Sequence, residues 1–66
     1  MDFSARIQQL MLYKGNISEY CLSKDAGIAQ STLSNILHNG ALPNAITLES
    51  LCRYFGITLS QFFFDP

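Results

Sequence analysis

The sequence predicts an all-α fold of five short helices. Three observations predict it. Apolar residues recur at helical spacing in five separate segments. Gly15-Asn16, Gly27, Asn39-Gly40, Pro43 and Gly56 punctuate the gaps between them. No segment reads as a convincing strand.

The first helix is expected from about Ser4 to Lys14, with Ile7, Leu10 and Met11 on one face and Asp2 or Ser4 as its cap. Gly15-Asn16 stops it, because both residues tolerate left-handed backbone. The second helix runs from about Glu19 to Ala26, capped by Ser18, with Leu22 and Ala26 facing inward. Glu19 lies in its first turn, where the helix dipole favours an anion. Gly27 ends it, and Ile28 follows as a buried plug. The third helix starts near Gln30 and ends at Asn39-Gly40, with Leu33, Ile36 and Leu37 inside. Its outer face reads Gln30, Ser31, Thr32, Ser34, Asn35 and His38. A loop from Gly40 to Ala45 leads to a fourth helix at about Thr47 to Phe55, with Leu48, Leu51, Cys52 and Phe55 as its stripe. After Gly56, Thr58 or Ser60 caps a fifth helix holding Leu59, Phe62 and Phe63.

Sixty-six residues are expected to form one domain over 1–66, with a core small enough to be marginally stable alone. Apolar residues make up 48% of the chain, which excludes a disordered tail. Charged residues are only 14%, so part of the apolar surplus is expected at an interface. The formal net charge of −1 is unusual for a nucleic-acid binder, since phosphate neutralisation supplies most non-specific affinity. Local placement of charge matters more than its sum. Cys21 and Cys52 match neither a CxxC redox motif nor zinc spacing, so both are expected as reduced thiols, Cys52 in the core. No metal or other cofactor is expected. No apolar run approaches the ~20 residues that span a bilayer. With no basic-then-apolar start, the expected compartment is the cytoplasm.

The informative stretch is Glu19 to His38. Two helices that cross steeply need a small residue where they approach, and Ser23 supplies it. The tight turn needs a residue that accepts positive φ, which Gly27 does cheaply. Ile28, Leu33 and Ile36 pin the next helix down and leave its N-terminal part projecting. The run Ala26-Gly27-Ile28-Ala29-Gln30-Ser31-Thr32-Leu33-Ser34-Asn35-Ile36-Leu37 resembles the helix-turn-helix of Cro/cI-type (XRE-type) transcriptional regulators. Arg6-Ile7 with Leu10, Thr47-Leu48 with Leu51-Cys52, Phe55-Gly56-Ile57 and Leu59-Ser60-Gln61-Phe62-Phe63 resemble the family's other helices in order.

The resemblance implies a compact five-helix, lambda-repressor-like DNA-binding domain with helices 2 and 3 as its helix-turn-helix. It also implies sequence-specific binding of double-stranded DNA, usually as a homodimer. Carried over, Gln30, Ser31 and Asn35 are the expected base contacts. An Asn or Gln amide can bond N7 and N6 of adenine at once. Ser18, Tyr20, Thr32, Ser34, His38, Asn39 and Asn44 are the expected backbone contacts. Three features depart from the family's pattern. Glu19 replaces a frequent glutamine, Gly40-Ala41-Leu42 replaces a basic loop, and Met11 replaces a usual cation. Each lowers the expected affinity for phosphates.

The blander reading of Gln30, Ser31, Ser34 and Asn35 is a solvated helix face. His38 reads otherwise as a surface residue favoured by the helix C-terminus. Tyr13, Tyr20 and Tyr54 are expected half-buried. Phe62-Phe63-Phe64 spans most of a helical turn, so at least one ring should emerge. Tyr54, Phe62 and Phe64 are therefore the expected dimer contacts, against a plain C-terminal staple over the core. Two functions compete: a DNA-binding regulator, most simply a repressor, and a protein-interaction or antitoxin-like adaptor with weak DNA affinity. Neither requires a membrane or a small-molecule ligand. An enzyme fits poorly, with one histidine, no paired carboxylates and no glycine-rich phosphate loop.

Overall fold

The computed structural model describes residues 2–63. It contains α1 (Phe3–Tyr13), α2 (Glu19–Ala26), α3 (Gln30–His38), α4 (Ala45–Phe55) and α5 (Leu59–Phe63), with no strand among the described residues.

Side-chain caps fix most of the helix starts. Asp2 accepts from the Ala5 N–H, Ser18 from Cys21 and Asn44 from Thr47. Thr58 Oγ1 accepts from the Gln61 N–H at 3.0 Å, and Gln61 Oε1 accepts in return from the Thr58 N–H at 2.9 Å. That is a reciprocal capping box at the head of α5. Ser4, the alternative cap for α1, instead donates its hydroxyl to the Leu37 carbonyl at 2.7 Å and ties α1 to α3. Helix α4 starts two residues before the expected Thr47, because Asn44 takes the capping role and Thr47 becomes its bonded third residue. Glycines in left-handed backbone close α2 at Gly27 (φ 73°) and α4 at Gly56 (φ 70°).

The core joins all five helices. Ile7, Leu22, Leu51 and Phe62 are fully buried, with Leu10, Met11, Ile28, Leu33, Ile36, Leu37 and Cys52 around them. Met11 is thus a core residue, and its position has no outward face on which a cation would serve. Arg6 fastens α5 to α1: its Nε donates to the Phe62 carbonyl at 2.8 Å and its Nη2 to the Gln61 carbonyl at 2.8 Å. Those carbonyls lie in the last turn of α5, where a cation also complements the helix dipole.

Several aromatic expectations need correction. Phe62 is 0% exposed, packed against Phe3 with ring centroids 6.2 Å apart, so it is a core residue and not a dimer contact. Among the described residues of that run, the ring that emerges is Phe63, with its edge towards Phe3. Phe64 lies outside the described residues. Tyr13 and Tyr20 are exposed, whereas Tyr54 is half-buried, edge-on to Phe55 at 5.2 Å and under the Lys14 ammonium at 4.7 Å.

Candidate nucleic-acid interface

The geometry of α2 and α3 is set by one small residue. Ser23 is buried, and its hydroxyl donates to the Ile28 carbonyl at 2.5 Å. The Ile28 N–H donates back to the Ser23 carbonyl at 3.0 Å. The two bonds close the turn around Gly27 and satisfy backbone groups that burial cuts off from water. Sequence reasoning singled out Ser23 for its size; its hydrogen bond to the far side of the turn went unread.

With Leu33, Ile36 and Leu37 buried beneath it, α3 turns its opposite face outward. Gln30, Ser31, Thr32, Asn35 and His38 are exposed there, and Ser34 is half-buried. Glu19, Tyr20, Gln30, Ser31, Leu33 and Ser34 line a shallow crevice between the start of α2 and α3. Ala29 at the N-cap of α3 offers no side-chain bond, unlike Asp2, Ser18 and Asn44 at their helices. The first-turn amides of α3 are therefore not capped by a side chain, and helix N-terminal amides suit anionic acceptors.

The other expected contacts divide by position. Ser18 and Asn44 are exposed at the heads of α2 and α4. Each spends an oxygen on its cap, which leaves the Ser18 hydroxyl hydrogen and the Asn44 amino group as donors. Asn39 follows α3, and its Nδ2 donates to Asn35 Oδ1 at 2.8 Å. His38 Nε2 stands 2.6 Å from Glu19 Oε1, so the single histidine of the chain links the end of α3 to the start of α2. Neither side-chain pair was read from the sequence. The Asn35–Asn39 pair has an i,i+4 signal that could have found it. The Glu19–His38 pair needs the crossing of two helices and has none.

The electrostatics of this face are unusual for a surface that meets phosphates. The four cations are Arg6, Lys14, Lys24 and Arg53, and none lies on α3, in the first turn of α2 or in the 39–44 loop. Arg6 is engaged with α5, Lys14 donates to the Tyr54 carbonyl at 3.3 Å, and Arg53 pairs with Glu49 at 2.6 Å. The candidate interface is built from neutral donors and the Glu19–His38 pair.

Away from this face, Asp25 accepts from the Cys21 thiol at 3.3 Å. That bond, followed by desolvation and the Asp25 charge, holds the Cys21 thiol above its ordinary pKa. Burial pushes the Cys52 thiol up as well. Neither cysteine carries the depressed pKa that activates a nucleophile. Among the described residues no three His, Cys, Asp or Glu side chains gather as a metal site. No helix among them is long and apolar enough to cross a membrane.

An all-helical body that projects a short polar helix from a glycine corner is the architecture of a helix-turn-helix DNA-binding domain. The family profile of the Cro/C1-type HTH DNA-binding domain matches residues 6–64. The chain belongs to that family. Neither a curated protein nor a solved structure matches the chain significantly.

Proposed function

We propose that this chain is a sequence-specific regulator of transcription that reads the major groove of double-stranded DNA with α3 and represses by occupying its site. The observation that carries the reading is the two-sidedness of α3: its aliphatic face is sealed in the core, while Gln30, Ser31 and Asn35 stand exposed on the other. Those side chains match base edges that neutral amides and hydroxyls recognise. Ser18, Thr32, Ser34, Asn44 and the nearby Tyr20 then serve the phosphates, and His38 and Asn39 border them.

Two copies are expected to bind together, on a site with two-fold symmetry. The support is the apolar surface on α5, where Leu59 is 51% and Phe63 37% exposed. Sedimentation velocity of the free protein, with Phe63→Asp as the disrupting variant, tests the pairing.

A second reading, a protein-binding adaptor with weak DNA affinity, is favoured by the lack of cations around α3. Selection of bound duplexes from a random pool separates the two. A regulator enriches a defined site, and Gln30→Ala or Asn35→Ala then costs about 1–3 kcal/mol on it. Failure to enrich any site at micromolar protein and low salt would reject the regulator.

A further inference from the structure

We infer that Asn39 determines which base Asn35 prefers, by fixing the orientation of the Asn35 amide. The inference rests on the reading of α3 proposed above. Its basis is the hydrogen-bond geometry where α3 ends. The Asn35 carbonyl accepts from the Asn39 N–H at 3.0 Å and from the Ala41 N–H at 3.1 Å. Those two bonds hold Asn39 one helical turn beyond Asn35, and both residues are exposed. From there Asn39 Nδ2 donates to Asn35 Oδ1 at 2.8 Å.

A side-chain amide has one oxygen that accepts and one nitrogen that donates two hydrogens. Reading adenine through both N7 and N6 requires the oxygen and the nitrogen to face the base together. Here the Asn35 oxygen is turned towards Asn39, so Asn35 leads with its amino group. A leading donor suits acceptor edges, namely N7 of either purine, O6 of guanine or O4 of thymine, and it mismatches the amino edges of cytosine and adenine. Asn39 is a positioning residue in this account: it acts through Asn35.

Asp at position 39 can only accept. Asn39→Asp therefore turns the Asn35 amide over, so that its nitrogen donates to the new carboxylate and its oxygen leads towards the base. Asn39→Ala removes the constraint and leaves the amide free to turn.

The test uses the site selected by the wild-type chain and the one position in it that Asn35→Ala relaxes. Four duplexes carrying each base pair at that position are ranked by competition binding for the wild type, Asn39→Asp and Asn39→Ala. Circular-dichroism melts establish that each variant is folded. The expected result is a change of preferred pair in Asn39→Asp, with relative affinities altered by roughly fivefold or more, and a flatter ranking in Asn39→Ala. Preferences at positions relaxed by Gln30→Ala stay as in the wild type. An added negative charge or a loosened helix end would weaken all four duplexes alike and leave the ranking unchanged. That result overturns the inference while the reading of α3 stands. A wild-type chain with no preferred pair at any position overturns both.

Discussion

Removing the Ser23 hydroxyl should loosen the joint that sets α3 against α2. In Ser23→Ala the Ile28 carbonyl loses the donor now 2.5 Å away, in a place where Ser23 is 6% and Ile28 6% exposed. Little volume is lost, so the cavity contribution is small and the cost is that of stranding a buried acceptor, about 1–3 kcal/mol. In a domain of this size each kcal/mol lowers the melting temperature by about 4–8 °C, which gives a fall of roughly 5–20 °C. Thermal and urea unfolding followed by circular dichroism measure it. The urea m-value should not change, because the surface exposed on unfolding is the same. A variant that melts within about 2 °C of the wild type would refute the argument. Ser23→Leu probes the companion claim about size. Crowding at the same contact should add about 1–3 kcal/mol and weaken DNA binding beyond what the stability loss explains.

Glu19→Gln and Glu19→Ala should both tighten binding to selected and scrambled duplexes alike, by roughly three- to tenfold at low salt, with the gain fading as salt rises. Anisotropy titrations read this; a gain confined to Gln would mean a new amide contact in place of relieved repulsion. Phe62→Ala should cost about 3–5 kcal/mol and leave the chain largely unfolded at 37 °C, as seen by circular dichroism. A cooperative melt near the wild type would place the ring outside the core. For Cys21, the raised pKa means less thiolate at any given pH, so the rate of alkylation by iodoacetamide should climb at higher pH in the folded chain than in urea. Asp25→Ala should move that profile back towards lower pH, since the Asp25 bond is the largest cause of the shift; an unmoved profile would remove Asp25 from the account.

Local chemistry made most of the fold legible. Ser18, Gly27 and Gly40 bracket α2 and α3 with capping and left-handed preferences that act within a few residues, and those two helices lie where the sequence put them. The start of α4 was missed because Asn44 follows Pro43, which read as loop although it caps the helix. The Phe62–Phe63 run shows a different limit. Periodicity says that a ring must emerge, but which one depends on how α5 docks, and Arg6 fixes that from 56 residues away. The same limit applies to the interface. The outer face of α3 follows from where its aliphatic residues fall, whereas the partner of Glu19 depends on the angle between two helices. The Asn35–Asn39 bond was within reach of sequence spacing alone.

The placement of the four cations governs how fast this protein finds a duplex. A positive binding surface draws a protein towards DNA before any contact forms and lets it slide along the phosphates in search of its site. Here the guanidinium and ammonium groups lie off α3 and the loop that follows it. On the proposed reading of α3, capture proceeds without that steering, at about 10⁵–10⁶ M⁻¹ s⁻¹, and does not slow steeply as ionic strength rises. If α3 reads bases as proposed, the search is made of separate collisions in three dimensions, each lost quickly unless the bases beneath α3 are the right ones.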